Sequence, residues 1–168
     1  MNLYIYSDKK YHRLKEKPFH FEKDLQRLFE FHMREITGLQ MVSSEFEIEN
    51  KRIDTLAFNE RLNSFVIIEY KRSRHYSVVD QGITYLSLML EHKSEILNEY
   101  NTFFNKKILE NQIKWKNSFV LIVSTDFTEY QLRAVNYKDF PIVLLELKFF
   151  ENDTLLINKT GNLKLQKF

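Results

Sequence analysis

The chain has 168 residues, of which 43% are hydrophobic and 15% aromatic, enough apolar side chains for the core of one domain. Three residues are Gly, two are Pro and none is Cys, which excludes collagen-like and linker-rich architectures, disulfide scaffolds and thiolate chemistry. Lys and Arg number 25 against 23 Asp and Glu, a net charge of +2, so contact with nucleic acid would require a local basic patch.

The N-terminal residues 1–10 contain no apolar segment of signal-peptide length, and the longest apolar runs are no longer than a strand. We therefore expect one cytoplasmic domain over residues 1–168 that does not enter a membrane. Residues 1–17 are expected to form an N-terminal arm or a small hairpin.

Apolar residues recur at helical spacing over residues 21–36, and Gly38 supplies the left-handed residue that ends such a helix. His32 lies on the apolar stripe of this helix, and we expect it to be a packed core histidine. A half-exposed strand is predicted at 43–49. Two further strands, at 53–58 and 65–70, are predicted to form a hairpin around a polar turn.

The second half of the chain is predicted to contain a long helix, a strand, a short helix and two closing strands, at 78–100, 119–124, 127–137, 142–149 and 155–158. The strand at 65–70 is apolar on both faces, which is typical of a central strand covered by helices on both sides. This order of elements predicts an α/β (α+β) fold with a central mixed β-sheet flanked by helices.

Three charged residues, Asp54, Glu69 and Lys71, stand on otherwise apolar strands, where such side chains are rarely buried without partners. If the hairpin turn is centred between Arg61 and Leu62, Asp54 lies directly opposite Glu69 and the two share a face of the sheet. Lys71 is two residues beyond Glu69 and points to the same face.

Two opposed carboxylates destabilise a sheet unless a cation lies between them, and oxygen-only ligands suit Mg²⁺ or Mn²⁺. The ammonium group of Lys71 would then orient a water molecule or stabilise charge that develops on phosphorus. The alternative is a structural ion pair at the end of the strands, between Asp54 or Glu69 and Lys71 or Arg52.

Asp54 followed by Glu69-Tyr70-Lys71 resembles the pattern of the PD-(D/E)XK nuclease superfamily, which has the restriction-endonuclease-like fold. The likeness runs from about Glu22 to Val123 and is closest to short RecB-like and NucS-type catalytic domains, although Ile53 stands where the pattern has Pro. It implies a single nuclease domain, an endonuclease that depends on Mg²⁺ or Mn²⁺ and hydrolyses phosphodiester bonds, with DNA as the expected substrate.

The resemblance assigns Glu22, at the start of the first helix, to the carboxylate that completes the metal site. Glu30 and Glu45 are competing candidates, and an exposed Glu22 stabilised by the helix dipole is the alternative. Gln81 and Tyr85 share one face of the second helix and resemble the Gln…Tyr helix of RecB-like nucleases, in which the Gln contacts the site or a nearby phosphate.

Arg72 and Arg74 follow Lys71 in a basic segment, and together with Gln81 and Tyr85 they are expected to bind nucleic acid. A solvated run of charges is the alternative for the arginines. Trp115 and its neighbouring lysines are a further candidate for stacking on a base.

A non-catalytic module that binds nucleic acid or protein on the same fold is the alternative function. Duplex cleavage by so small a domain favours a homodimer. A subunit of a larger repair or defence complex is the alternative assembly.

Overall fold

The computed structural model describes residues 2–161. Over this part of the chain a six-stranded mixed sheet is flanked by helices on both faces, which confirms the predicted fold class. The strands and α-helices in chain order are β1 (Leu3–Ser7), β2 (Lys10–Leu14), α1 (Glu22–Thr37), β3 (Gln40–Ile48), β4 (Lys51–Asn59), β5 (Ser64–Lys71), α2 (Val78–Glu91), α3 (Lys93–Phe104), β6 (Phe119–Ser124), α4 (Glu129–Ala134), β7 (Ile142–Phe150) and β8 (Thr154–Thr160).

The large sheet has the order β3-β4-β5-β6-β7-β8. Strands β3, β4 and β5 are antiparallel, β5, β6 and β7 are parallel, and β8 returns antiparallel to β7. In β5 all residues from Ser64 to Tyr70 are buried, as expected for a strand with a helical layer on each face. The central position predicted for this strand is therefore confirmed.

The β4–β5 hairpin has the register that the sequence predicts. Its pairs run from Asn59 opposite Ser64 to Thr55 opposite Ile68, so the turn is centred between Arg61 and Leu62. Regular pairing ends one step before Asp54 and Glu69. The two strands therefore begin to separate where the charged residues occur.

Helix α1 covers one face of the sheet and buries Leu25, Phe29 and Met33, and Gly38 ends it in the left-handed conformation with φ 79°. His32 is not a core residue, contrary to expectation, because Met33 occupies the buried position. The His32 ring is instead half-exposed and lies 2.9 Å from the Glu35 carboxylate.

The helix predicted over residues 78–100 is two helices that meet at His92. The backbone N–H of His92 closes α2 by donating to Leu88, and its carbonyl begins α3 by accepting from Ile96. Helices α2 and α3 both pack on the face of the sheet opposite α1. The short helix α4 is also briefer than its predicted range of 127–137.

Residues 2–17 contain the expected hairpin, in which β1 pairs with β2 as a separate two-stranded sheet. The segment after it lies along the end of β7, where Lys17 N donates to Phe149 O at 2.8 Å and Glu151 N donates to Lys15 O at 3.0 Å. In the part of the chain that the structure describes, no helix has the length and apolar character needed to cross a membrane.

Candidate functional site

The candidate site lies where β4 and β5 separate, at the carboxyl end of the central strand. Glu69 is fully buried on β5, the Lys71 side chain is 13% exposed two residues later, and Asp54 is half-buried on β4. The Asp54 Oδ2 atom accepts a hydrogen bond from Tyr70 N at 3.1 Å, so this carboxylate takes the place of a strand carbonyl beside Glu69. Asp54, Glu69 and Lys71 are therefore neighbours at the ends of these two strands, although Asp54 and Glu69 lie one step beyond the paired part of the hairpin.

The environment of Glu69 disfavours its charged form. Burial, followed by repulsion from the Asp54 carboxylate, raises the pKa of Glu69 to about 8. Burial also raises the pKa of Asp54, against the hydrogen bond from Tyr70 N and the positive charge of Lys71. Two adjacent carboxylates, one buried and one half-buried, that both have raised pKa values are typical of a functional site rather than of a structural ion pair.

The oxygens of Glu69 differ in their partners. Oε2 accepts a hydrogen bond from Gln81 Nε2 at 2.8 Å, whereas Oε1 is buried with no hydrogen-bond partner. Across residues 2–161 it is the one carboxylate oxygen in this condition. A buried, unpaired carboxylate oxygen next to a second carboxylate fits a divalent cation with oxygen ligands.

Glu22 is the first residue of α1 and lies at the edge of this site. Its Oε1 atom is 3.3 Å from Lys71 Nζ, and its Oε2 atom accepts a hydrogen bond from Arg72 N at 3.2 Å. Within the described residues no three His, Cys, Asp or Glu groups form a cluster that would hold a metal ion. Asp54, Glu69 and Glu22 are thus neighbours but not one assembled set of three ligands.

Gln81 connects α2 to the site, as predicted for it. Its Nε2 atom donates to Glu69 Oε2 and lies 3.3 Å from the hydroxyl oxygen of Tyr85 one turn later. Gly82 allows this close approach, because a Cβ atom there would lie 3.1 Å from the Val120 side chain on β6. Tyr85 reaches the site through Gln81, and its ring packs on the core.

The predicted nucleic-acid-binding arginines lie on the exposed segment after β5. The Arg72 guanidinium donates to the backbone carbonyl of His20, and its backbone donates to Glu22. Arg74 forms an ion pair with Asp126 at 2.7 Å. Arg72 is therefore held beside Lys71, whereas Arg74 lies farther along the segment with its charge balanced.

The two competing carboxylates have other partners. Glu30 accepts hydrogen bonds from the Thr55 and Ser44 hydroxyls at 2.6 and 2.8 Å. Glu45 pairs with Lys23 and Arg52, and the hydrogen bond from Lys23 is the largest cause that lowers the pKa of Glu45. Of the three acidic candidates, Glu22 is the one in contact with Lys71.

Trp115 does not belong to the site. It lies near the opposite end of β5, where its ring stacks on Phe65 with centroids 5.2 Å apart and its indole N–H donates to Glu110 O. The ammonium group of Lys93 lies 5.7 Å from the centroid of the Trp115 ring. The ring therefore has packing partners away from the site, and its candidate role in base stacking stays a prediction.

Gln26 is a site residue that the sequence reasoning missed. It is buried on α1, and its side-chain amide donates to the Asp54 carbonyl at 3.1 Å and to Glu30 at 3.0 Å. These contacts hold β4 in place at the point where it leaves β5. A polar residue adjacent to Leu25 on the buried stripe of α1 was the available signal.

Comparison with known proteins supports the fold. No protein-family profile matches the chain. An uncharacterized protein of Haemophilus influenzae is 47% identical over 146 residues, which are 87% of this chain and 48% of that protein, so the chain spans about half the length of the curated relative it matches.

Among solved structures, a repair endonuclease from Pyrococcus abyssi matches with a TM-score of 0.53 and 16% identity, over 86% of this chain and 65% of that one. Pyrococcus furiosus SfsA in complex with Ca²⁺ matches with a TM-score of 0.41 and 11% identity, over 91% of this chain and 77% of that one. The likeness to the endonuclease concerns the fold, and the chain accordingly has a nuclease-like α+β core.

Proposed function

We propose that the protein is a nuclease that depends on Mg²⁺ or Mn²⁺ and hydrolyses phosphodiester bonds, with DNA as the substrate. The observation that carries this proposal is the adjacent carboxylates of Asp54 and Glu69, with the buried, unpaired Glu69 Oε1 atom and the Lys71 ammonium at the same strand ends. The nuclease-like fold and the resemblance to PD-(D/E)XK nucleases in Asp54 and Glu69-Tyr70-Lys71 support it.

Asp54 and Glu69 would hold the cation, with Glu22 as the additional carboxylate at the edge of the site. A bound cation supplies Lewis-acid activation of a phosphate and of water. Neutral carboxyl groups bind cations poorly, so the raised pKa of Glu69 means that cation binding would release a proton from this pair.

The remaining residues act on the substrate or on Glu69. The Lys71 ammonium, which lies 3.3 Å from Glu22 Oε1, would orient the attacking water or stabilise negative charge that develops on the phosphoryl oxygens. The hydrogen bond from Gln81 keeps one oxygen of Glu69 occupied and would leave the other for the cation. Arg72, and Arg74 if its pair with Asp126 opens, would bind phosphates on either side of the scissile bond.

The assembly that acts on DNA is part of the proposal. A duplex has two strands related by local two-fold symmetry, so a homodimer would present one site to each strand. A single-stranded or branched substrate requires one copy, and a larger repair or defence complex would then supply target selection.

The test is a cleavage assay with the purified protein and labelled single-stranded, duplex and flap DNA, beside RNA of the same sequence. Each substrate is incubated with Mg²⁺, Mn²⁺ or EDTA. We expect cleavage with either cation and none with EDTA. Asp54→Asn should abolish cleavage, whereas the matched control Asp139→Asn should not, because Asp139 is an exposed residue in a turn outside the site.

Two results would contradict the proposal. Cleavage that survives Asp54→Asn would mean that the activity belongs to another site or to a contaminant. Binding of oligonucleotides with no cleavage under any cation would instead identify the protein as a non-catalytic binding module on this fold.

A further inference from the structure

The N-terminal hairpin presents an aromatic face that the core does not use. Because Tyr4 pairs with Arg13 and Tyr6 pairs with Tyr11, these four side chains lie on the same face of the two-stranded sheet. The three tyrosines are 53%, 61% and 74% exposed in chain order. The rings of Tyr6 and Tyr11 contact each other with centroids 5.1 Å apart, but of the ten strand residues only Leu14 is buried, so packing on the core does not explain the tyrosines.

The positive charge of the chain is concentrated in the same segment. Residues 2–17 contain five Lys and Arg against two Asp and Glu, whereas the rest of the chain contains 20 against 21. Arg13 lies on the tyrosine face, and Lys15 and Lys17 are exposed in the segment that follows. Exposed aromatic rings among basic side chains are the composition of surfaces that bind single-stranded nucleic acid, on which bases stack while cations follow the backbone.

The hairpin is attached to the edge of the sheet that carries the candidate site. Strands β5, β6 and β7 are parallel, so their carboxyl ends meet at one edge, and Glu69 and Lys71 lie there. Strand β7 continues past its last pair with β6, Glu146 opposite Ser124, and the segment after the hairpin is bonded along this extension. The chain then reaches His20, whose carbonyl accepts from Arg72, and continues into Glu22.

A groove lies between the segment that follows the hairpin and Arg72 at the edge of the site. A cavity of about 360 Å³ lies between the segment after β2 and the end of β7, and its lining includes Lys17, Phe19, His20, Arg72 and Phe149. The rings of Phe19 and Phe149 stack with centroids 6.3 Å apart, and the Lys17 ammonium lies 5.3 Å from the Phe149 ring. The volume is within the usual range of about 300–1,000 Å³ for ligand pockets, and Arg72 is shared with the site.

We propose that the tyrosine face of the hairpin (Tyr4, Tyr6, Tyr11 and Arg13) and this groove form a binding site for single-stranded nucleic acid that leads one strand to the candidate site. The proposal rests on the proposed nucleic-acid substrate but not on catalysis. Bases stack on the tyrosines, and the cations of the hairpin and groove contact the phosphates. Unpaired bases are required because stacked pairs in a duplex do not offer their faces to side chains.

The test measures binding without cleavage. Fluorescence anisotropy in EDTA gives the affinity of the full chain for a labelled oligothymidylate long enough to span the hairpin and the site. The triple variant Tyr4→Ala/Tyr6→Ala/Tyr11→Ala should weaken binding at least about 100-fold, since stacking on one ring contributes roughly fivefold or more. Affinity for a duplex of equal length should change much less.

Two further variants separate stacking from folding. The triple Tyr→Phe variant keeps the rings and should bind like the natural chain. Tyr137→Ala is the matched control, because Tyr137 is 75% exposed but precedes the amino end of β7, at the opposite edge of the sheet. It should leave the affinity unchanged.

Crosslinking tests the site in the unaltered protein. An oligonucleotide with 5-iodouracil should crosslink to residues 2–17, as read by mass spectrometry of the peptides. The proposal is overturned if the triple alanine variant keeps the natural affinity, if duplex affinity falls equally, or if crosslinks map elsewhere. Loss of binding in the variant with no cleavage by the natural chain would overturn the proposed nuclease function and support the hairpin site.

Discussion

Glu69→Gln is expected to stabilise the metal-free protein at alkaline pH, although it removes a proposed metal ligand. The pKa of Glu69 is about 8 in the folded chain against 4.5 for an ordinary glutamate, because of burial and the neighbouring Asp54. Between pH 4.5 and pH 8, Glu69 therefore holds a proton in the folded state that it has released in the unfolded chain. Glutamine imitates the protonated carboxyl, and its amide can donate to Asp54.

The sign of the pH dependence follows from this difference. A group whose pKa is raised by folding contributes its full stability below pH 4.5 and loses it as the pH rises through 8. With about 1.4 kcal/mol for each pKa unit, the natural chain should lose about 3–4 kcal/mol of unfolding free energy between pH 5 and pH 8 from Glu69 alone. The Glu69→Gln variant lacks this titration and should be the more stable protein at pH 8.

The assay is urea unfolding in EDTA across this pH range, with Glu60→Gln as a control at an exposed glutamate in the β4–β5 turn. Added Mg²⁺ should restore the unfolding free energy of the natural chain at pH 8, because the cation binds the folded state and replaces the proton. It should have little effect on the stability of Glu69→Gln. Equal pH profiles for the natural chain and Glu69→Gln would refute the assignment of a protonated, buried Glu69.

Lys71→Ala should retain stabilisation by Mg²⁺ yet lose at least about 100-fold in cleavage rate, measured by single-turnover assays, because the charge of Lys71 acts on the substrate. A large loss of stability that Mg²⁺ does not restore, with normal cleavage by the protein that remains folded, would show that Lys71 has only a structural role. Trp115→Ala should lower the unfolding free energy by about 2–4 kcal/mol by removing the ring stacked on Phe65. Gly82→Val should destabilise the protein by about 1–3 kcal/mol, read by thermal unfolding, since even a Cβ atom at this position would lie only 3.1 Å from the Val120 side chain. An unchanged melting temperature would contradict the close contact.

The sequence was most informative where the decisive contacts are local. The hairpin register depends on one turn and two short strands, so alternation and polarity predicted it, and with it the meeting of Asp54, Glu69 and Lys71. Gln81 followed from its resemblance to a helix of RecB-like nucleases and from its spacing to Tyr85. Both inferences compare residues that are close along the chain.

The sequence was less informative where distant segments decide the structure. Helical periodicity continues through residues 78–100, but His92 interrupts the helix, and its two ring nitrogens lie 2.8 and 2.7 Å from Glu49 and Glu95. The first of these contacts comes from the β3–β4 turn, which no local pattern near His92 reveals. The positions of the Trp115 and Gln26 side chains likewise depend on partners on other elements, Phe65 for Trp115 and Asp54 for Gln26.

The length of the turn after β4 determines which residues of β4 and β5 lie next to each other at the site. Fourteen residues separate Asp54 from Glu69, and side chains alternate between the faces of a strand, so losing a single residue from this turn would require a one-step slip of the hairpin. Such a slip would move Asp54 away from Tyr70 N, from which its Oδ2 atom accepts a hydrogen bond, and so away from Glu69. Substitutions in the turn are thus compatible with a working site, whereas the loss of one residue is not.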